Sequence, residues 1–233
     1  MSTSYRINSI FYSLQGEGHN TGRAALFVRF SGCNLRCPFC DTDFASFREM
    51  TAEEIVAALA LAAPSLSSAA APSSAAAPSA VSASGGFAAG SRPSLPMVVL
   101  TGGEPTLQAD EPLIDLLHQQ GFFVAMESNG TRPAPTNLDW LTVSPKNWWN
   151  TEGEWWRENT SAISELKIVF DEDTPARLSS LHPSPSTLHL YLPPCDTGDP
   201  VRNAHILRCC VEYIKEHPQW RLSLQTHKLI GIE

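Results

Sequence analysis

The stretch FSGCNLRCPFCDTDF (30–44) carries Cys33, Cys37 and Cys40, separated by three and then two residues. Three thiols are one too few for a structural zinc site, and an odd number does not make a disulfide framework. Besides serving simply as reactive thiols, such a set has two metal arrangements open to it. Three thiolates can hold three irons of a [4Fe–4S] cube and leave the fourth iron for a ligand that is not protein. Alternatively, a zinc ion can take the three and a distant fourth ligand such as His19 or Cys195. An open metal position is what catalysis requires and what a structural site avoids.

Other polar residues have the right types to hold a ligand beside the thiols. In LTGGEP (100–105) the glycines let backbone approach a ligand closely, and the carboxylate of Glu104 can accept a hydrogen bond from an ammonium group. ESNG (127–130), with Ser128, and SPK (144–146), with Ser144, Pro145 and Lys146, add hydroxyl, amide and ammonium groups. Each motif falls at the end of an apolar, β-rich run.

The elements that position these motifs follow from the pattern. Strands are expected at 24–32, 96–104, 122–130, 138–146, 164–170, 187–194 and 220–227. Helices are expected at 51–62, where Thr51 and Glu54 form a capping box, and at 111–121 and 204–218. Strands alternating with helices imply an α/β fold: a mostly parallel sheet with crossover helices, open or partly closed into a barrel. Ligands sit at the carboxyl ends of the strands in such sheets, where most of the motifs fall. Residues 62–96 are almost wholly Ala, Ser, Pro and Gly, and read as a flexible insertion within one domain spanning 1–233.

A net charge of −8 argues against a chain whose main task is to grip nucleic acid or an anionic membrane. No apolar run approaches the roughly 20 residues needed to span a bilayer, and the N-terminus MSTSYRINSIF lacks the apolar core of a signal peptide. A cytoplasmic location is the expectation, with thiols kept reduced. Cys209 and Cys210 lie on an expected helix and read as buried thiols, while Trp148, Trp149, Trp155 and Trp156 read as core or loop packing.

The C-x3-C-x2-C spacing, with Phe39 before the last cysteine, and the GGE of LTGGEP resemble the radical S-adenosylmethionine (SAM) superfamily. FYSLQGEGHNTGRAALFVRFSGCNLRCPFCDT, VVLTGGEPTLQ, ESNGT, TVSPK, ELKIV and RLSLQTHKLIGIE together resemble the 7-carboxy-7-deazaguanine synthases of queuosine biosynthesis. The resemblance covers nearly the whole chain outside the Ala/Ser/Pro segment. It implies a partial (β/α) barrel of the radical SAM type, a homodimer, a flavodoxin or ferredoxin as electron donor, and three cofactors: a [4Fe–4S] cluster, SAM and Mg²⁺. The implied reaction converts 6-carboxy-5,6,7,8-tetrahydropterin to 7-carboxy-7-deazaguanine with loss of ammonia. A radical derived from SAM takes hydrogen from the pterin, the ring contracts, and SAM is regenerated.

Roles follow from the same resemblance. Cys33, Cys37 and Cys40 would hold the cluster, and Thr42 would give its hydroxyl to Mg²⁺. SAM would contact Gly103, Glu104, Ser128, Ser144, Pro145, Lys146 and the run Pro193, Pro194, Cys195 and Asp196. Substrate would contact Leu14, Gln15, Gly16, Glu17, Arg29, Thr101 and, through the C-terminus, Glu233. His227 in QTHK carries no assigned role: a place near the substrate and a satisfied structural histidine are equal readings of it. Pro193-Pro194 departs from the glutamine-proline pair of the family pattern, which removes one side-chain contact to SAM. A glycyl-radical activase shares the cysteine triad, but SLQGEG and QTHK favour the synthase. A non-catalytic zinc module is the alternative of another class.

Overall fold

The computed structural model describes residues 3–37, 40, 46–63, 96–146, 155–178 and 188–232. The expected sites Thr42 and Glu233, together with Phe39, Trp148, Trp149 and nearly all of the Ala/Ser/Pro segment, lie outside the described residues.

Nine strands form one sheet: β1 (Ser4–Leu14), β2 (Ala24–Phe30), β3 (Arg48–Thr51), β4 (Met97–Gly102), β5 (Phe123–Ser128), β6 (Trp140–Val143), β7 (Glu165–Lys167), β8 (His189–Leu192) and β9 (Arg221–Leu222). Their order is β3-β1-β2-β4-β5-β6-β7-β8-β9. Every pairing from β2 to β9 is parallel, as expected, and only β1 pairs antiparallel, with β2 and β3. The sheet does not close, and it forms the incomplete (β/α) barrel that the sequence pattern implies.

Neither β1 nor β3 was anticipated. β3 is an edge strand and β1 lies between it and β2, and in the two of them Arg6, Asn8, Arg48 and Glu49 interrupt the apolar runs by which the parallel strands are recognised. The C-terminal end also differs. The strand expected over 220–227 shortens to two residues, and Thr226–Ile230 forms a helical turn. Tertiary contact explains the change: the Thr226 N–H and hydroxyl both donate to the Gly16 carbonyl, at 3.0 and 2.8 Å, and pull the chain off the sheet.

Three longer helices cover the outer face. Helix α1 (Ala52–Ala62) starts at the expected capping box: Glu54 N–H donates to Thr51 Oγ1 at 3.3 Å, and Thr51 N–H to Glu54 Oε2 at 2.7 Å. Helix α2 (Glu111–Gln119) is capped by Asp110, which also accepts from the Tyr5 hydroxyl at 2.7 Å and so ties the helix to β1. Two short turns, α3 (Trp155–Glu158) and α4 (Thr174–Leu178), precede α5 (Pro200–Glu216). Helix α5 begins four residues before the expected 204, because Asp199 caps the Val201 and Arg202 amides and Pro200 supplies a favourable first position. The turn Thr226–Ile230 is α6. Among the described residues no helix is long and apolar enough to cross a membrane.

Along the interior strands the side chains alternate between faces. Leu26, Val28, Val98, Leu100, Val124 and Met126 belong to the outer core, where Ile55, Leu59, Leu113, Ile114, Leu117 and Ile206 of the helices are fully buried. Each such side chain contributes about 1.5–3 kcal/mol of transfer free energy. Ala25, Phe27, Met97, Val99 and Ala125 turn inward instead and form a second, smaller cluster inside the barrel. The next inward positions on β2, β4 and β5 are Arg29, Thr101 and Glu127.

Candidate active site

The cysteine loop leaves β2 and is held by backbone that comes from β4. Gly103 N–H donates to Phe30 O at 3.0 Å, and Glu104 N–H to Gly32 O at 2.9 Å. Gly102 has a φ of +114°, and any Cβ on Gly103 would collide with the Gly32 carbonyl, so the two glycines are what allow β4 to approach this closely. Gln108 clamps the loop from another side: its amide N–H donates to Ser31 O at 2.7 Å, while its carbonyl accepts from Arg6 N–H at 2.8 Å. Asn34, between the first two cysteines, donates to Thr131 Oγ1 at 2.8 Å and accepts from Asn129 Nδ2 at 2.9 Å.

Glu104 is fully buried behind this junction and does not line the cavity. Its carboxylate accepts from the Thr106 N–H and hydroxyl, the Ser128 hydroxyl and the Asn129 N–H, at 2.7 to 3.1 Å. In this geometry it ties the end of β4 to the end of β5.

Cys33, Cys37 and Cys40 line a cavity of about 300 Å³ at the carboxyl ends of the strands. Gly103, Ser128, Ser144, Lys146 and the run Pro193–Asp196 line the same space, and Pro145 is buried beside it. Burial raises the Cys37 thiol above its ordinary value despite the pull of Lys146. Among the described residues no three His, Cys, Asp or Glu side chains converge on a single metal ion. Thiols around a shared space suit a cube in which each thiolate binds a different iron. Of the two residues considered as a fourth zinc ligand, Cys195 lines this cavity. His19 does not: its ring stacks on Trp140 at 4.9 Å and lies tilted against His189 at 4.3 Å between centroids.

A second cavity of about 180 Å³ adjoins the first and is lined by Leu14, Gln15, Gly16, Arg29, Phe11 and His227 among others. Phe11 and Phe27 stack at 5.0 Å, and the Arg29 guanidinium lies 4.8 Å from the Phe11 ring centre. Four residues, Glu17, Thr101, Glu127 and Lys167, face both cavities.

That shared wall is built on one ammonium group. Lys167 Nζ contacts Glu17 Oε2 at 2.9 Å and Glu127 Oε2 at 2.8 Å. Gln225 donates to Glu17 Oε1 and Gln15 to Glu127 Oε1, each at 3.0 Å. Burial alone would raise the Glu17 carboxyl, but the attraction of Lys167 and the hydrogen bonds outweigh it and bring the value to about 2. For Glu127 burial wins over Lys167, and the Glu17 charge adds to it, so its value is raised. Lys167 is pushed up against its own burial by Glu127, Glu17 and Glu165. Lys146 is pushed down by burial and then by Lys167, and its Nζ donates to Ser144 Oγ at 2.9 Å.

No protein-family model matches the chain. It is 39% identical over 227 residues to the 7-carboxy-7-deazaguanine synthase of Bacteroides thetaiotaomicron, covering 97% of this chain and 98% of that protein. The enzymes of the same name from Bordetella pertussis and Nitratidesulfovibrio vulgaris are 39% and 40% identical, over 98% of this chain and 99% of theirs. The chain belongs to the 7-carboxy-7-deazaguanine synthase family. A solved structure, the crystal structure of QueE from Escherichia coli, superposes with a TM-score of 0.66 at 26% identity, over 96% of this chain and 95% of that one.

Membership of the 7-carboxy-7-deazaguanine synthase family makes the chain a radical SAM lyase, which uses a [4Fe–4S] cluster and SAM to convert a small pterin to 7-carboxy-7-deazaguanine with loss of ammonia. The activase and zinc-module alternatives are set aside. The motifs ELKIV and ESNG by themselves give no role to Glu165, Lys167 or Glu127. The signal was present: Glu165 and Lys167 are charged residues two apart in a strand otherwise apolar, so both point to one face. Trp156 and Cys210 are buried as expected, whereas Cys209, also expected to be buried, is half-buried on the same helix as Cys210.

Proposed function

We propose that the synthase reaction runs across the two adjoining cavities, with SAM in the larger and the pterin in the smaller. The observation that carries this reading is the wall of Glu17, Thr101, Glu127 and Lys167, which faces both spaces at once. Cys33, Cys37 and Cys40 would hold the [4Fe–4S] cluster. Bound there, the cluster supplies the electron that cleaves SAM and so the radical that takes hydrogen from the pterin.

The chain's own residues bind and orient. Gly103, Ser128, Ser144, Pro145, Lys146 and the Pro193–Asp196 backbone would receive SAM. Glu104 acts through Gly103, Ser128 and Asn129 as a positioning residue, since its carboxylate already accepts four hydrogen bonds. Arg29 would pair with the pterin carboxylate through its planar fork, and the side chains of Gln15 and Glu17 with backbone at Leu14 and Gly16 would match the donor–acceptor edge of the ring. Thr101 would touch the substrate from the shared wall. Glu127, which faces both spaces, is a carboxyl within the pterin cavity that could exchange a proton with the ring as ammonia leaves. Thr42 with Mg²⁺ and Glu233 at the substrate complete the reading, together with a homodimer, a flavodoxin or ferredoxin donor and a cytoplasmic location.

The test is an anaerobic assay with SAM, reductant, Mg²⁺ and 6-carboxytetrahydropterin on the wild type and two variants. Arg29→Lys should raise KM for the pterin by about 10- to 100-fold, the loss of one charge-assisted hydrogen bond, and leave SAM affinity unchanged. Lys146→Met should weaken SAM alone. Equal weakening of both ligands by either variant would overturn the two-cavity reading.

A further inference from the structure

Two carboxylates of the shared wall are each held on both oxygens. Glu127 accepts from Lys167 on Oε2 and from the Gln15 amide on Oε1. Glu17 accepts from Lys167 on Oε2 and from the Gln225 amide on Oε1. Gln15 belongs to the loop already placed at the substrate. Gln225 comes from the C-terminal segment and has no part in the synthase reading.

The contact between Gln225 and Glu17 is one rung of a continuous junction. Three successive residues of the loop after β1 each meet this segment. Gly16 O accepts from the Thr226 N–H and hydroxyl at 3.0 and 2.8 Å, Glu17 from Gln225 at 3.0 Å, and Gly18 N–H donates to Ser223 Oγ at 2.9 Å. Ser223 is buried, and its own N–H donates to Leu192 O at 3.2 Å, which fastens the segment to the end of β8. A Cβ on Gly16 would run into the His227 ring, so the two stretches also pack tightly beside Glu17. Gln225 is the residue at which α6 begins, a position favoured by short Asn, Asp, Ser and Thr side chains that bond back to the helix. The Gln225 side chain makes no such bond and reaches Glu17 instead.

What this second donor adds follows from the shapes of the groups. An ammonium is a compact charge on a flexible stem, and the last torsion of a glutamate is broad. Lys167 alone therefore leaves the Glu17 carboxylate free to turn about its terminal bond. Donors are accepted best near the carboxylate plane, and an amide on the other oxygen fixes that plane. We propose that Gln225 is a positioning residue for the pterin, acting through Glu17, whose carboxylate it holds in the plane that meets the N–H donors of the ring. The proposal rests on the reading that puts the pterin in the smaller cavity, which Glu17 lines and Gln225 does not. Gln225 lines the larger cavity, so a direct contact with SAM is the competing role.

The test is steady-state kinetics of the full chain with its cluster, SAM, Mg²⁺ and 6-carboxytetrahydropterin, on Gln225→Met, Glu17→Gln and the double variant. Gln225→Met should raise KM for the pterin by about 10-fold, the scale of one hydrogen bond to a charged group, with kcat and KM for SAM within about twofold. Glu17→Gln should raise KM for the pterin further. Adding Gln225→Met to Glu17→Gln should change nothing more, because a residue that acts only through Glu17 has no effect once that carboxylate is gone. Gln225→Glu sets a second carboxyl against Glu17. Its KM for the pterin should fall back toward wild type as pH is lowered from 8 to 6, since two carboxyls in contact take up a proton that restores the donor. The other charged and titratable groups that bear on Glu17 are Lys167 and Glu165 on β7, Glu127 on β5, Lys146 after β6, Arg29 on β2 and His227 on α6. Burial, then Glu127, pushes the Glu165 carboxyl up to about 7, so each variant is compared with wild type at the same pH. An unchanged KM for the pterin in Gln225→Met, an equal effect of that change with and without Glu17→Gln, a rise in KM for SAM, or a Gln225→Glu whose KM keeps a constant ratio to wild type across the pH range would each overturn the proposal. An unchanged KM for the pterin in Glu17→Gln would overturn the placement of the pterin beside Glu17, and this proposal with it.

Discussion

The inward face of the barrel has two halves that share strands and differ in chemistry. On β5 the inward residues run Phe123, Ala125, Glu127, and β2 and β4 pass likewise from Phe27 to Arg29 and from Val99 to Thr101. The amino-terminal half is an ordinary apolar core. The carboxyl-terminal half, with β7 and the loop after β1, assembles three carboxylates around two lysines. The lower half holds the barrel open at a fixed width by packing, which is insensitive to pH. The upper half is held by charge, and its geometry depends on every partner being present.

The comparison can be broken most severely at Lys167. Lys167→Met leaves Glu17 and Glu127 without their shared partner, and removing one member of a buried ion pair costs about 3–5 kcal/mol. The variant should unfold at a much lower urea concentration and show no measurable synthase activity. In the apolar half, Phe27→Ala should cost about 3 kcal/mol through a cavity beneath Phe11, and that cost should be the same at pH 5 and pH 8.

The pH dependence sharpens the contrast. Glu165, at about 7 in the folded chain, lies above the ordinary glutamate value near 4.3, so the folded state holds a proton that the unfolded chain has lost. Its contribution is full below the unfolded value and is lost as pH rises through about 7. Glu17, at about 2, has the opposite sign: its contribution is present above the unfolded value and lost as pH falls toward 2. Urea denaturation from pH 5 to pH 8 should therefore show stability declining by on the order of 2 kcal/mol in wild type, and a flatter profile in Glu165→Gln. The smallest effect is expected outside both halves. Thr51→Ala removes the capping box of α1, should cost about 1 kcal/mol, and should leave kcat and both KM values unchanged.

Much of this was legible beforehand. The cysteine spacing, the GGE turn and the alternation of apolar strands with capped helices are local patterns, and a parallel barrel with ligands at its carboxyl end follows from them. β1 escaped because Arg6, Asn8 and Ser9 fall among its apolar residues and leave no clean rhythm. α6 escaped because the Gly16 carbonyl that fixes it is more than two hundred residues away. Glu104 was placed against SAM on its type and turn, and the fold instead surrounds it with four donors that no short motif reveals.

Residue type and spacing by themselves determined the chemistry available to this chain: three thiolates with room for a fourth ligand, and strands whose ends converge. They also determined that Glu165 and Lys167 would share a face, because side chains in a strand alternate. Only the tertiary structure decided which charges meet. Lys167 lies 150 residues from Glu17 in sequence, and Gln225 is 208 residues from it. Pairing at such range depends on where the strands place their inward positions. The same placement left Glu165 buried and, among the described residues, outside any ion pair, which no local pattern encodes.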